Sequence, residues 1–222
     1  MSPERRYVEV LSNFTDWSKD LLYADGLSAV PASAAPEFYM RRFAESDARE
    51  LVDRFLALDM VGYLPGDILP KFDIACTAAD LVVKSPFLDP DLVELAATIP
   101  GDLKVRRTMN KHILKEAATR WIPRDLIYRP KKGFSIPVAA WLRGPWSDLA
   151  RALLLSPELR HRGFLNGGYV SNLLDEHAAG VIDHSMRIWI IVNFEIWCRT
   201  FLDGPGDRPL TWAELLGREV DW

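Results

Sequence analysis

A short basic loop is the part of this sequence whose residue types are best suited to chemistry. Arg129, Lys131 and Lys132 lie directly before a glycine–phenylalanine bend, and the bend lies between Pro130 and Pro137. The loop belongs to a basic island, residues 104–132, with ten lysines and arginines against two acidic residues. The island therefore carries a net charge of +8 in a chain whose formal net charge is −4. A reversal of sign this large marks a place where an anion can bind.

The chemistry that suits this loop is the departure of a polyphosphate. The negative charge of such a leaving group grows as its bond breaks, and a positioned ammonium group stabilises that transition state. Removing one such donor typically costs roughly 3–4 kcal/mol. From charge alone, the alternative is a solvated basic face. Nucleic acid is not an expected partner, because the chain as a whole is negatively charged.

A pair of carboxylates precedes the island, in the stretch Y-L-P-G-D-I-L-P-K-F-D. Asp67 follows a Pro-Gly turn, and Asp73 lies six residues later in a predicted helix. Two carboxylates near a cationic site are suited to binding Mg²⁺, orienting an amine or acting as a general base. The structural alternative for Asp67 is an N-cap that starts the next helix.

Other candidate groups give weaker signals. In K-S-P-F-L-D the sequence predicts that Asp89 caps the following helix, and Lys84 is the one member considered as a charge partner. The four histidines lack metal-ligand spacing on a helix face, so we expect solvated or core roles for them and no metal site. The two cysteines, Cys76 and Cys198, are far apart, which argues against a disulfide framework or a zinc site; Cys76 is expected to be buried.

Length and composition predict a globular protein. The chain has 222 residues, 49% of them hydrophobic, and eight tryptophans, which is enough to bury a sizeable core. Its longest mostly apolar stretch, residues 188–196, contains Asn193 and Glu195 and is too short to cross a bilayer. The N-terminal residues lead into no apolar signal segment. We therefore expect a cytoplasmic protein with no membrane partner.

Apolar spacing and capping signals predict a mainly α-helical chain with little or no sheet. Predicted N-caps are Ser46, Asp89, Thr108 (opening a helix through Arg120), Ser156 and Thr211. Predicted loops are residues 26–36, 62–70, 129–137 and 203–209. The chain is interpreted as one partial domain, 1–222, with a flexible connector at 26–45 and a C-terminal tail at 203–222. The core-facing side of the last long helix is predicted to carry Trp189, Ile190, Asn193, Phe194 and Trp197.

Taken in order, these motifs resemble the C-terminal part of the glutamine-hydrolysing asparagine synthetases. That family carries a Tyr-Leu-Pro-Gly-Asp stretch, a Lys-x-Asp, an Arg-Ser-Pro-Phe-Leu-Asp block, a Lys-x-x-Leu-Arg/Lys helix and an Arg-x-Lys-x-Gly-Phe loop followed by Pro and Trp. Here the five motifs lie, in the same order, at residues 63–67, 71–73, 84–89, 111–115 and 129–134. The resemblance covers about residues 6–202 and extends to the related β-lactam and lasso-peptide synthetases. It implies the helical C-terminal half of an α/β, PP-loop type synthetase domain.

The resemblance implies a reaction and roles for the residues. Such synthetases use ATP and Mg²⁺ to adenylate the side chain of aspartate, release pyrophosphate, and then form the amide with ammonia made from glutamine. Lys131 matches the lysine that contacts the phosphates and the developing oxyanion, and Asp67 matches a carboxylate near the reacting amine. Arg129, Lys111 and Lys132 are then expected to bind the nucleotide. Asp73 and Lys84 are expected to support the substrate or the structure.

Departures from the family pattern leave alternatives open. The family's Glu and Arg near the Ser-Pro-Phe-Leu-Asp block are Val82 and Lys84 here, so a bidentate ion pair is replaced by a single charge. An acyl substrate other than aspartate, in an amide- or lactam-forming ligase of a biosynthetic pathway, is therefore one alternative. A non-catalytic helical remnant is another.

The sequence also lacks two features of the complete enzymes. It has no N-terminal nucleophilic cysteine and no Ser-Gly-Gly-x-Asp-Ser pyrophosphate loop. We expect a fragment or a split subunit that is inactive without a glutaminase and PP-loop half. That half, from the same gene or a separate chain, would hold most of the ATP and Mg²⁺. The exposed apolar surface that half a domain implies predicts poor solubility or partner-dependent folding.

Overall fold

The computed structural model describes residues 1–130, 136–204, 206–208 and 210–217. They form two units, one of residues 1–8 and 35–130 and the other of residues 9–34 and 136–217. The described chain is mainly helical, and its one sheet is a pair of two-residue strands. The predicted fold class is therefore confirmed.

The N-terminal part of the chain, up to residue 130, forms short helices joined by tight turns. In chain order these are α1 (Pro3–Leu11), α2 (Asp16–Leu22), α3 (Ala34–Glu45), α4 (Leu51–Val61), α5 (Leu69–Ala78), α6 (Pro90–Thr98), α7 (Gly101–Lys104), strands β1 (Val105–Arg106) and β2 (Met109–Asn110), α8 (His112–Ala118) and α9 (Arg124–Ile127). Two 3-10 turns, Asp25–Leu27 and Pro86–Leu88, and a π-helical turn, Leu64–Ile68, complete this part.

A small aromatic cluster holds α4 within the first unit. The ring of Tyr7 stacks on Phe55 with centroids 4.5 Å apart, and its hydroxyl donates to Asp59 over 2.6 Å. The Arg54 guanidinium lies 4.0 Å above the ring of Phe43, which is buried. Stacked rings and a cation over a ring add specific attraction to the burial of apolar surface.

The start of α4 differs from the prediction. Ser46 does not cap the helix; its hydroxyl accepts from the N–H of Ala48 over 3.3 Å. The N-cap residue is Glu50, whose carboxylate accepts from the N–H of Gly101 at 3.0 Å, across 51 residues of sequence. The capping pattern was misleading because a tertiary contact uses the acidic group.

Two predicted boundaries in the first half were wrong. Residues 62–70 are helical rather than a loop, because the π turn, closed by the Leu69 N–H on the Leu64 carbonyl, accommodates Pro65. Thr108 does not start a helix; it lies in the turn between β1 and β2, and α8 begins at His112. Residues 34–45 of the predicted connector form α3, whose alanines favour helix.

The C-terminal part of the chain continues with helices alone among its described residues. They are α10 (Val138–Arg143), α11 (Ser147–Leu154), α12 (Pro157–Arg162), α13 (Gly167–Ala178), α14 (Ser185–Phe201) and α15 (Trp212–Leu216). Side chains of Ser156 and Thr211 cap α12 and α15, as predicted from the sequence. Asp89 likewise caps α6.

The core of the second unit lies between α10, α11, α13 and α14. On α14 the buried positions include Ile188, Ile191, Glu195 and Cys198. The predicted core-facing stripe was wrong in part: Trp189 and Phe194 pack against the core, whereas Ile190, Asn193 and Trp197 are exposed. Helix α14 is apolar on most of its circumference, so spacing alone did not identify the buried face.

Candidate active site

The predicted basic loop lies only partly within the described residues. Arg129 lies in a turn after α9, and its side chain is exposed. Lys131 and Lys132 fall outside the described residues, so the roles predicted for them stay predictions.

Two cations beside the β-hairpin have an unusual backbone conformation. Arg107 has φ +55° and Lys111 has φ +59°, both in the left-handed region. That region costs a residue with a Cβ atom roughly 1–2 kcal/mol, and glycine usually occupies it. Such strain concentrates at functional sites, where the surrounding structure holds it in place. The backbone therefore fixes Lys111, one of the predicted nucleotide-binding residues, directly before α8.

Some cations of the island have structural partners. Lys104 donates to Asp53 over 2.6 Å, and both side chains are at least 80% buried. Arg124 lies 3.7 Å from Glu116 and 4.9 Å above the ring of Tyr128. The Tyr128 hydroxyl donates to Glu116, a hydrogen bond that lowers the pKa of this carboxyl. These contacts hold α7, α8 and α9 in place.

Arg106 contacts the His112 ring and Lys115 lies over the Tyr128 ring. Four further cations of the island have no side-chain hydrogen bond, ion pair or ring contact with a described residue. They are Arg107, Lys111, Arg120 and Arg129. All four side chains are exposed and belong to the first unit. The structure therefore divides the island into cations used for packing and cations that remain available to an anion.

Asp67 lies inside the π turn and does not cap a helix, so the structural alternative for this residue was wrong. Its carboxylate accepts from Lys71 over 2.9 Å at the surface. This hydrogen bond raises the pKa of Lys71.

Asp73 and Lys84 are exposed, and no hydrogen bond or ion pair among the described residues joins either of them to this pair. Asp73 is on α5, six residues beyond Asp67, a spacing that does not bring helical side chains together. Lys84 precedes the Pro86–Leu88 turn. No hydrogen bond or ion pair joins any two of the predicted site residues in the described chain. Among these described residues, no group of acidic, histidine or cysteine side chains could hold a metal ion.

The first unit also exposes a large apolar surface. Val82 is 88% exposed, Trp121 77%, Ile74 69% and Phe87 66%. Helices α5, α6, α8 and α9 bury none of their residues. Large apolar side chains exposed together usually mark an interface. None of the helices in the described chain is both long and apolar enough to cross a membrane.

Comparison with known families assigns the chain. The asparagine synthase family matches residues 2–199, a range that contains every predicted site residue. The chain belongs to the asparagine synthase family. The resemblance inferred from the five ordered motifs is thereby confirmed, and the family is one that uses ATP.

Curated relatives of this asparagine synthase family member are much longer than the chain. A protein of Mycobacterium tuberculosis (strain H37Rv), named as a glutamine-hydrolysing asparagine synthetase, is 35% identical over 162 residues, 72% of this chain and 24% of the relative. Glutamine-hydrolysing asparagine synthetase 1 of Bacillus subtilis (strain 168) is 31% identical over 155 residues, 70% of this chain and 24% of the relative. The chain spans about a quarter of the length of the curated relatives it matches. No solved structure matches it.

Sequence reasoning missed a buried charge cluster in the second unit of this asparagine synthase family member. The carboxylate of Glu195, fully buried, accepts from Arg162 and from Arg199. Glu195 stands four residues after Ile191 and seven after Ile188, a spacing that places it on their face of α14. That spacing was the available signal. His177 and His184 are buried, which confirms the expected core role for these two histidines.

Proposed function

We propose that the chain supplies the C-terminal half of an ATP-dependent, amide-forming synthetase site of the asparagine synthetase type. In the first step a carboxylate oxygen of the acid substrate attacks the α-phosphorus of ATP, and the bond to the β-phosphate breaks with release of pyrophosphate. In the second step ammonia attacks the activated carbonyl carbon, loses a proton and displaces AMP. The observation that carries the proposal is the family match across residues 2–199.

The residues of this chain act mainly on the phosphates. Lys131 neutralises the charge that develops on the departing pyrophosphate and on the reacting carbonyl oxygen. Arg129, Lys111 and Lys132 hold the phosphate chain; the exposure of Arg129 and Lys111, and the fixed backbone at Lys111, support this assignment. Fixed cations stabilise a transition state because they need no reorganisation when the charge appears.

Asp67 orients the attacking amine. Its carboxylate is exposed on the π turn, and Lys71, which now occupies it, is itself an exposed ammonium group. An amine substrate can replace that ammonium group at the same oxygen. Asp73 and Lys84 support the surrounding structure. The described residues offer no cluster of carboxylates for Mg²⁺, so we place the ion in the complementary half and assign it no step here.

A complementary half bearing the glutaminase domain and the pyrophosphate loop completes the site. It is part of the same polypeptide or a separate chain. The exposed apolar side chains of the first unit support a partner of this kind, since exposed apolar patches usually mark interaction sites. Aspartate and glutamine-derived ammonia are the proposed substrates, in the cytoplasm.

The alternative that a specific observation favours is an acid substrate other than aspartate. Val82 and Lys84 occupy the positions of a Glu/Arg pair in the family pattern, and Val82 is 88% exposed. Without that pair, a different carboxylic acid can be the substrate of the same two-step reaction.

Reconstitution tests the proposal. The chain is mixed with a polypeptide that carries the glutaminase and pyrophosphate-loop part of Bacillus subtilis asparagine synthetase 1, and pyrophosphate release is measured with ATP, glutamine and a panel of acids. Release that requires both polypeptides and aspartate supports the proposal, and release with another acid supports the alternative. No release with any acid, although the two polypeptides bind one another, contradicts both.

A further inference from the structure

A cavity in the second unit is lined by residues of α2, of α13 and of the turn and first helical turn that follow α13. Its volume is about 640 Å³. Cavities of roughly 300–1,000 Å³ that are mostly apolar, with a few polar groups, are typical of small-molecule sites. The residues that line this cavity include the apolar Trp17, Leu21 and Ile182 and the polar Glu176, His184 and Arg187.

The apolar wall of the cavity consists of side chains that the fold leaves in water. Trp17 is 71% exposed, Ile182 49% and Leu21 37%. Trp17 and Leu21 belong to α2, and Ile182 lies in the turn between α13 and α14. A ligand with an apolar body is favoured here, because its binding removes this exposed apolar area from water.

Two opposite charges line the same cavity without pairing with one another. The Nε2 of His184 donates to one oxygen of the Glu176 carboxylate over 2.6 Å, which fixes that side chain. No hydrogen bond or ion pair among the described residues uses its second oxygen, and none joins Glu176 to Arg187. Arg187 lies three residues after His184, at the start of α14, a spacing that makes helical side chains neighbours.

The guanidinium of Arg187 is held in place with two of its nitrogens unused. Its Nε donates to the carbonyl oxygen of Asn13 over 3.0 Å, and the group lies 5.7 Å from the centre of the Phe14 ring. In the described chain its two terminal nitrogens have no hydrogen-bond partner. A planar guanidinium whose N–H groups are fixed in this way is suited to bind a carboxylate with two parallel hydrogen bonds.

We propose that this cavity binds an α-amino acid with a large apolar side chain. The ligand carboxylate accepts from the terminal nitrogens of Arg187, its ammonium group donates to the second oxygen of Glu176, and its side chain packs against Trp17. Two opposite charges without partners complement a zwitterion, whereas a simple acid or a simple amine satisfies one of them only. The inference goes beyond the proposed function, since none of these three residues has a role in that reaction.

Calorimetric titration of the full chain with matched compounds tests the ligand class. The probe is L-phenylalanine, for which we expect one site per chain and a Kd below about 1 mM. The comparison compounds are 3-phenylpropionate, 2-phenylethylamine and L-alanine, which lack the ammonium group, the carboxylate and the ring, respectively. Each should bind at least about tenfold more weakly, because each loses a charged hydrogen bond or the apolar contact. No saturable binding of L-phenylalanine, or equal binding of all four compounds, overturns the inference.

The same titration is made on the complex if the isolated chain aggregates, with the complementary half alone as the blank. Neither ATP nor turnover enters the measurement. An inactive reconstituted enzyme therefore contradicts the proposed function and leaves this test intact.

A matched pair of substitutions tests the acidic partner. Glu176→Gln keeps an oxygen that accepts from His184 and removes the charge; the Glu176 side chain is 46% exposed, so this variant should fold. We expect its Kd for L-phenylalanine to rise at least about tenfold. The control is Asp175→Asn, which changes the preceding carboxylate of α13, paired with Arg151, and should alter the Kd by less than about twofold. Equal Kd values in Glu176→Gln and the wild type overturn the inference.

A nuclear magnetic resonance spectrum locates the ligand. The indole N–H signal of Trp17 is assigned as the one that disappears in Trp17→Phe, a variant that keeps an aromatic ring in the wall. We expect this signal to shift in proportion to the occupancy measured by calorimetry, and to shift less than half as far at the same L-phenylalanine concentration in Arg187→Lys, which loses the planar group. Saturable binding that leaves the Trp17 signal unmoved places the ligand elsewhere and overturns the inference.

Discussion

Replacing Glu195 should lower the free energy of unfolding of the second unit more than a surface substitution does, because it removes a buried charge. The carboxylate is fully buried, and the Arg162 and Arg199 side chains are 10% and 11% exposed. Both terminal nitrogens of Arg162 donate to the two oxygens of this carboxylate, and the Nε of Arg199 donates to it over 2.7 Å. In Glu195→Gln the shape persists, but two guanidinium groups keep their charge without the central anion.

The magnitude follows from what remains around the two arginines. Breaking a buried ion pair by removing one partner costs about 3–5 kcal/mol, because the other charge stays desolvated. Here Arg162 keeps Asp203 at 3.0 Å, and Arg199 keeps Glu158 at 3.3 Å. These acids compensate in part, so we expect a loss of about 3 kcal/mol in the free energy of unfolding, at the lower end of that range.

Urea denaturation followed by tryptophan fluorescence measures this loss, since Trp189 and Trp197 lie on the same helix as Glu195. The matched control is Asp175→Ala, which removes an exposed ion pair with Arg151 in the same unit and should cost less than about 1 kcal/mol. If Glu195→Gln costs no more than the control, the assignment of a buried charge cluster is refuted.

Three further predictions concern Lys111 of the basic island, the titration of the buried His177 and the exposed apolar surface of the first unit. Lys111→Gly relieves a left-handed backbone, so the free energy of unfolding should stay constant or rise by about 1 kcal/mol while the KM for ATP rises in the reconstituted enzyme; an unchanged KM removes Lys111 from the site. Because the pKa of His177 is lowered in the folded chain, the unfolded chain binds a proton that the folded chain does not as the pH falls below about 6.5. Stability should therefore drop from pH 7 to pH 5, and the drop should be smaller in His177→Gln; equal slopes contradict this. The isolated chain should bind a hydrophobic dye such as ANS, and the complementary half should suppress that signal, since Val82 and Trp121 are exposed. A sharp cooperative melt of the isolated chain without dye binding would contradict it.

Local signals in the sequence predicted local structure well. Asp89, Ser156 and Thr211 cap the helices assigned to them, because a side-chain acceptor two or three residues before a free N–H acts without help from distant residues. Ser46 failed for the opposite reason. The acid that starts α4, Glu50, binds an N–H from α7, and no local pattern contains that contact.

The sequence did not predict the buried face of α14, nor the exposure and pairing of the candidate site residues, and the reasons are related. An apolar helix has no unique face. Glu195 is tolerated inside because Arg162 from α12 and Arg199 on its own helix both pair with it. Lys111 carries no glycine signal, although its backbone is left-handed. The types of the site residues followed from the motifs, whereas their exposure and pairing depend on neighbours that sequence spacing does not reveal.

The most direct test of the account is the rate of pyrophosphate release in the reconstituted enzyme with Lys131→Ala. The matched control is Arg120→Ala, a cation of the same island that is not among the predicted site residues. We predict that Lys131→Ala lowers the single-turnover rate by about 10²–10³-fold, as expected for loss of a positioned charge at a leaving group, and that Arg120→Ala changes it by less than about threefold. A wild-type rate in Lys131→Ala, in a complex that still binds ATP, would contradict the central claim.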